Sequence, residues 1–176
     1  MMRELWRRGH RNIAICANRS YLVTHRWFRV NGFLDTLREL SGKDSGECLY
    51  STVERTVFEA KTLLSKILVR QPKVTAIVTD CDDLAYLLLA VAKQLKLSCE
   101  KVVITGFGNV MGKVPGANEY LNLPNVEQNP FHLGATACND LLDLIEHKIP
   151  DQPIMQYIDV ELVNLDAIPV IKRAEP

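Results

Sequence analysis

Two hydrophobic periods alternate along the chain, one typical of buried strands and the other of helices. Short runs rich in apolar, often β-branched residues recur four times in the first two thirds of the sequence. They are NIAICA at 12–17, the weaker ECLY at 47–50, VTAIVT at 74–79 and KVVIT at 101–105. Such runs indicate strands that are covered on both faces, as in a parallel sheet.

Helical segments separate these runs, because apolar residues recur there at steps of three and four. The predicted helices are a short one that ends at Gly9 and longer ones over 24–41, 51–69, 80–95 and 130–147. Ser51 and Glu54 have the spacing of a capping box, so we expect the third helix to begin at Ser51. Asp80, Asp82 and Asp83 are expected to cap and charge the start of the fourth helix.

The order of these elements predicts an α/β fold with a Rossmann-like parallel sheet flanked by helices. Two further strands, NVEQ at 125–128 and YIDVELV at 157–163, complete the pattern. Over 106–125 the periodicity disappears, and this stretch contains four glycines and two prolines. A long loop is therefore predicted here, and long loops in compact domains are often functional.

The composition is that of an ordinary soluble protein, since 47% of the residues are hydrophobic and 24% are charged. The 21 basic and 21 acidic residues cancel, although the first 29 residues carry a net charge of +6. This basic end fits either nucleic-acid binding or solvated helix surfaces. The longest apolar run, LAYLLLAVA at 84–92, is shorter than the roughly 18 residues that cross a bilayer. We expect a cytoplasmic protein with no membrane partner.

Neither a metal site nor a disulfide framework is predicted. The five cysteines are odd in number and include no C-x-x-C pair, and the four histidines lie far apart. Cys81 is surrounded by Asp80, Asp82 and Asp83, whose charges disfavour a thiolate nucleophile. The sequence contains no G-x-S-x-G motif. We therefore expect no cofactor, no metal ion and no catalytic residue.

One alternative is an enzyme. The pattern G-x-G-x-x-x-G follows the strand KVVIT and suggests a dinucleotide-binding loop. Such a loop needs a helix whose N-terminus faces the phosphates, whereas Pro115 and Gly116 interrupt the segment that follows. The alternative function is a small Rossmann-type nucleotide-binding enzyme that uses the Gly106–Gly112 loop.

Polar residues lie where several predicted strands end and helices begin. Arg29, Cys81, Asp82, Asn109 and Gln128 belong to this set. In an open α/β sheet the carboxyl ends of the strands converge on a crevice that binds small ligands. These residue types suit binding more than reaction, so the sequence predicts a ligand-binding crevice.

Seven segments of the sequence share their order and spacing with one known family. They are LxxRGHRNIAI at 5–15, RxxGF at 29–33, PxxTAIVTxxDDLA at 72–85, VVITGFGN at 102–109, QxxxxLG at 128–134, LLDLIE at 141–146 and ELV at 161–163. In these segments the chain resembles the C-terminal portion of the LacI/GalR family of bacterial transcription regulators. The resemblance extends over about the first 165 residues.

The resemblance implies one lobe of a two-lobed effector-binding core, like that of type I periplasmic sugar-binding proteins, with part of the second lobe. It assigns 1–123 to the C-terminal lobe, 124–149 to a returning strand and helix of the partial N-terminal lobe, and 150–176 to the final strand of the C-terminal lobe and a tail. The helix-turn-helix and hinge of the family have no counterpart in this sequence. The apolar helix at 131–145 is expected to leave exposed surface that a partner covers.

The resemblance also implies roles for particular residues. Arg29 occupies the place of an arginine that binds effector oxygens, and Gln128 that of a polar contact from the returning segment. Cys81 replaces a common asparagine and Gly108 a common aspartate, which leaves Asn109 as the nearby polar group. The expected ligand-binding residues are Arg29, Cys81, Asp82, Asn109 and Gln128.

The implied function is the effector-binding and dimerisation portion of a LacI-type transcription regulator. Its effector is expected to be a small molecule, a sugar or a phosphorylated sugar, and its assembly a homodimer. Contact with operator DNA is expected only through N-terminal modules that this sequence does not contain. Effector binding between the lobes then changes the affinity of the whole regulator for DNA.

Overall fold

Six strands form one sheet in the computed structural model, which describes residues 1–18, 24–52, 54, 56–96, 102–110, 122–148 and 155–171. The strands are β1 (Ile13–Asn18), β2 (Leu49–Thr52), β3 (Ala76–Thr79), β4 (Val103–Gly108), β5 (Asn125–Glu127) and β6 (Glu161–Val163). Their order across the sheet is β2-β1-β3-β4-β5-β6. Strands β1 to β5 run parallel to one another, and β6 is antiparallel to β5. The predicted α/β fold class is confirmed.

Helices cover both faces of the sheet. They are α1 (Met2–Arg7) and α2 (Thr24–Ser41) on one face and α3 (Val57–Arg70) and α4 (Asp82–Gln94) on the other. A fifth helix, α5 (Pro130–Ile145), follows β5. Neighbouring residues of a strand point to opposite faces, so the side chains of β1 enter two apolar layers. Ile13 and Ile15 pack in the layer of α1 and α2, whereas Ala14 and Cys16 pack in that of α3 and α4. No helix within the described ranges is long and apolar enough to span a membrane.

The start of α3 differs from the prediction. Ser51 does not cap a helix, because it lies in β2 and pairs with Ala17 of β1. The cap is Thr56, whose side-chain oxygen accepts a hydrogen bond from the backbone N–H of Glu59 at 3.2 Å. Pairing of β2 also buries Tyr50, and the burial of an aromatic side chain outweighs one capping interaction of about 1 kcal/mol.

Helix α5 exposes its apolar side. No residue of α5 is buried, and Phe131 and Ile145 are 86% and 64% exposed. The residues of α5 with intermediate exposure are mostly polar, namely Thr136, Asp140, Asp143 and Leu144. The apolar surface expected at 131–145 is therefore present, and the less exposed side of this helix is its polar one.

His10 joins the start of β1 to the C-terminal segment. The residue is buried, its Nε2 lies 3.0 Å from the carbonyl oxygen of Pro169, and its Nδ1 lies 3.0 Å from the hydroxyl of Thr75. A carbonyl oxygen can only accept, so Nε2–H donates to Pro169 and Nδ1 accepts from Thr75. Burial lowers the pKa of His10, and the charges of Arg8 and Arg11 lower it further.

The lowered pKa of His10 predicts that stability depends on pH. A histidine in the unfolded chain titrates near pH 6.5, whereas His10 in the fold is mostly neutral there, so the unfolded state takes up the proton first. The free energy of unfolding should therefore fall as the pH drops from about 7.5 to about 5.5. Urea unfolding across this range measures the fall, and His10→Gln should flatten it. A wild-type profile as flat as that of the variant contradicts the prediction.

Candidate ligand-binding site

The predicted site residues come together at the carboxyl ends of the parallel strands. Arg29 lies on α2, Cys81 and Asp82 begin α4 after β3, Asn109 follows β4, and Gln128 follows β5. Hydrogen bonds join Arg29 to Asp80 and Gln128, and a second set joins Asp82, Asn125 and Asn109. Asp80 and Asp82 flank Cys81 in the chain, so the two sets lie side by side, and together they are called the polar cluster. In an open α/β sheet, this edge is where ligands bind.

Arg29 is held by three neighbours. Its Nη1 donates to the backbone carbonyl of Asp80 at 3.0 Å, its Nη2 donates to Oε1 of Gln128 at 2.9 Å, and its guanidinium carbon lies 4.3 Å from the centre of the Phe107 ring. Burial lowers the pKa of Arg29, and the nearby charge of Arg26 lowers it further. The guanidinium still stays charged at neutral pH, and two of its five N–H donors bond to described residues. Toward the described residues its other donors are not engaged, so they are available to a ligand.

Asp82 braces the ends of two strands. Its Oδ1 accepts from the side-chain amide of Asn125 at 2.7 Å, and its Oδ2 accepts from the backbone N–H of Val110 at 2.7 Å. Oδ1 of Asn125 in turn accepts from the backbone N–H of Asn109 at 3.2 Å. Both carboxylate oxygens of Asp82 are engaged, and the residue is 4% exposed. Asp82 thus ties the segment after β4 to β5, and its direct contact with a ligand stays a prediction.

This brace explains the first two glycines of the G-x-G-x-x-x-G pattern. Gly106 and Gly108 lie within β4, which continues through them instead of giving way to a loop as predicted. A Cβ at Gly106 would come within 2.5 Å of Oδ1 of Asp82 and 2.6 Å of Nδ2 of Asn125, and Gly108 has a φ of +123°. Packing and backbone conformation therefore require glycine at both positions. The remainder of the predicted loop lies largely at 111–121, outside the described residues.

Cys81 is buried at the start of α4, between Asp80 and Asp82 of the cluster. It is the N-cap residue of α4 without a side-chain capping bond, and it is 7% exposed. Nη1 of Arg26 lies 3.7 Å from its Sγ. The thiol therefore faces a guanidinium from α2, in addition to the acidic neighbours seen in the sequence.

Four residues of the cluster were not among the predicted site residues: Arg26, Asp80, Asn125 and Glu127. Asp80 was expected to cap α4, but it precedes the cap, and its buried carboxylate lies 3.3 Å from Nη1 of Arg26. Oε2 of Glu127 accepts from the side-chain amide of Asn109 at 2.7 Å. A signal for Asn125 and Glu127 was present, since alternate polar residues in a strand share one face.

An apolar cavity lies beside the cluster. Its volume is about 710 Å³, and its walls come from α1, α2 and the strands β4 to β6. Met2, Phe28, Phe33 and Leu162 line it, and Arg29 borders it. Most of its exposed wall is apolar, and its charged lining residues Arg3, Glu4 and Arg7 are engaged in ion pairs with Glu39 or with one another, whereas a small polar ligand is oriented by convergent polar groups. The candidate site is therefore the polar cluster at the strand ends.

A parallel α/β sheet with a polar cluster at its carboxyl edge defines a ligand-binding lobe of the doubly wound class. The sequence matches the family model described as a periplasmic binding protein-like domain over residues 2–164. Since this match covers nearly the whole chain, the chain belongs to the periplasmic binding protein-like domain family. A search of the curated proteins found no match.

Solved structures of bacterial transcription regulators share this fold. The Escherichia coli transcriptional repressor ascG is 18% identical, with a TM-score of 0.74 over 96% of this chain and 59% of that one. A LacI-family regulatory protein from Corynebacterium glutamicum is 24% identical, with a TM-score of 0.67 over 92% and 59%. The complex of the transcriptional regulator CelR with cellobiose is 20% identical, with a TM-score of 0.69 over 92% and 48%. The chain thus spans about half to three fifths of these structures, and the resemblance to the effector-binding portion of LacI/GalR regulators is confirmed for the periplasmic binding protein-like domain and its fold.

Substitution of Gly106 tests the packing role of the glycine pattern. Gly106→Ala should lower the free energy of unfolding by about 1–3 kcal/mol, because the added methyl group displaces Asp82 or Asn125. Gly32→Ala on α2 is the matched control, since nothing lies within 4 Å of a Cβ there. That control should leave stability unchanged or raise it by about 0.5–1 kcal/mol. Denaturant unfolding measures both, and equal stabilities of the two variants would remove the packing explanation.

Proposed function

We propose that this chain is the effector-binding and dimerisation portion of a LacI-type transcription regulator. The observation that carries the proposal is Arg29, a partly buried guanidinium that is held at the carboxyl edge of the sheet and whose other donors bond to none of the described residues. Membership of the periplasmic binding protein-like domain family supports it, as does the fold shared with transcription regulators.

The chemistry of the cluster suits a polyhydroxylated ligand, a sugar or a sugar derivative. Arg29 supplies N–H donors, and the side-chain amides of Asn109 and Gln128 can both donate and accept. Phe107 adds an aromatic surface against the guanidinium of Arg29. The complex of CelR with cellobiose supports a sugar as the effector class.

The charges of the cluster favour a neutral sugar over a phosphorylated one. The described cluster contains two arginines and three carboxylates, namely Arg26, Arg29, Asp80, Asp82 and Glu127. Its net charge is therefore negative, and a phosphate dianion would be repelled by the carboxylates as well as attracted by the arginines. Hydroxyl groups bind to the same donors without this repulsion.

The division of the chain between two lobes is the second part of the proposal. We assign 1–123 and 150–176 to the C-terminal lobe and 124–149 to the passage into the N-terminal lobe. Because β5 pairs with β4, this passage begins as a strand of the common sheet and continues in α5. The exposed apolar side of α5 suits a contact with the second lobe. Dimerisation and control of operator DNA are proposed for the whole regulator.

Thermal unfolding with D-glucose, cellobiose, glucose 6-phosphate and NAD tests the effector class. A neutral sugar should raise the melting temperature, because a ligand that binds the folded state stabilises it. Arg29→Ala should weaken sugar binding at least about tenfold, as hydrogen bonds to charged groups contribute about 1.5–3 kcal/mol. Arg38→Ala on the same helix is the control, because Arg38 is exposed and pairs with Asp35.

The outcomes separate the candidate functions. Stabilisation by NAD alone would favour the nucleotide-binding enzyme. If no sugar changes the melting temperature, the effector proposal fails. If Arg29→Ala binds sugar as tightly as Arg38→Ala does, Arg29 is not part of the site.

A further inference from the structure

Asp80 contacts both arginines of the cluster, each through a different group. Its carboxylate Oδ2 lies 3.3 Å from Nη1 of Arg26, and its backbone carbonyl accepts from Nη1 of Arg29 at 3.0 Å. The residue is completely buried. No described donor reaches its second carboxylate oxygen, Oδ1. Among the described residues, Arg26 is thus the only hydrogen-bond donor to this carboxylate.

The two arginines lie close enough to repel each other. They are three positions apart on α2, so their side chains project from the same face of the helix. Both are at least partly buried, where like charges are screened less than in water. Burial lowers the pKa of Arg29 most, the charge of Arg26 lowers it further, and the charge of Asp80 raises it. The carboxylate of Asp80 therefore offsets the repulsion between the arginines.

We propose that Asp80 is a positioning residue that sets the orientation of Arg29 without touching the ligand. This inference rests on the proposed function, in which Arg29 binds the effector. The carboxylate neutralises Arg26, so that Arg29 stays against Phe107 with its Nη2 on Gln128. The other donors of Arg29 are then directed away from these partners toward the ligand.

Loss of the carboxylate of Asp80 and loss of the guanidinium of Arg26 should both displace Arg29. Without the carboxylate of Asp80, the unopposed charge of Arg26 repels Arg29 from its place beside Gln128. Without the guanidinium of Arg26, the unpaired carboxylate attracts Arg29, which already lies at the carbonyl of the same residue. When both charges are removed together, neither force acts and Arg29 keeps its orientation. A residue that only stabilises the fold would not show this reciprocal rescue.

The test uses Asp80→Asn, Arg26→Gln and the double variant. The first readout is the Nε–Hε NMR resonance of Arg29, assigned by its loss in Arg29→Ala. The second is the dissociation constant for cellobiose and for D-glucose. Each single variant should shift the resonance and weaken sugar binding at least about tenfold, the loss expected when a charged hydrogen bond is misdirected. The double variant should return both readouts to within about threefold of the wild type.

Several outcomes overturn the inference. One is an unchanged Arg29 resonance in Asp80→Asn, and another is a double variant whose effects equal the sum of the single ones. If Asp80→Asn does not fold, Asp80→Glu provides the test, because it keeps the charge and should keep the resonance. A shifted resonance in that folded variant would also overturn the inference. Failure of the proposed function differs from failure of this inference. If the proposed function fails, Arg29→Ala binds sugar as the wild type does, while the Arg29 resonance in the Asp80 and Arg26 variants still reports on positioning.

Discussion

The close approach of Asp82 to Asn125 above Gly106 is the constraint on which the polar edge of the sheet depends. The carboxylate fixes the spacing between the ends of β4 and β5, and only glycine leaves room for it at position 106. Gln128 directly follows β5 and therefore meets Arg29 at a defined place. A buried network in which both carboxylate oxygens of Asp82 are bonded is rigid, and a rigid wall reduces the entropy lost when a ligand binds.

Several arginines of the basic N-terminal part of the chain form ion pairs within the fold. Glu4 accepts hydrogen bonds from Arg7 and Arg8, and these bonds hold its pKa at about 2. Arg26 lies against the buried carboxylate of Asp80. Arginines that are divided among intramolecular partners in this way do not form the continuous stripe that tracks a phosphate backbone. In the described part of the chain, the excess positive charge therefore fits helix surfaces and the candidate site better than it fits nucleic-acid binding.

Much of the fold could be predicted from the sequence, because buried parallel strands and amphipathic helices have strong local periods. The errors occur at element ends. Ser51 has the local signature of a cap and Gly106 that of a loop, but both belong to strands whose pairing depends on residues distant in sequence. The roles of Asp80 and Asp82 could not be separated either. Both are acids beside the start of α4, and only the alignment of β3, β4 and β5 decides which one faces α2 and which one faces β5.

The central claim is that this lobe binds a small polar ligand at the carboxyl edge of its sheet and not in the apolar cavity beside it. Backbone amide NMR spectra recorded with increasing cellobiose locate the contact directly. Binding at this edge predicts shifts that saturate at the N–H groups of Asn109, Val110 and Gln128, with little change at Met2 and Thr36, which line the cavity. Shifts centred on Met2 and Thr36, or no saturable shift at the strand ends, would contradict it.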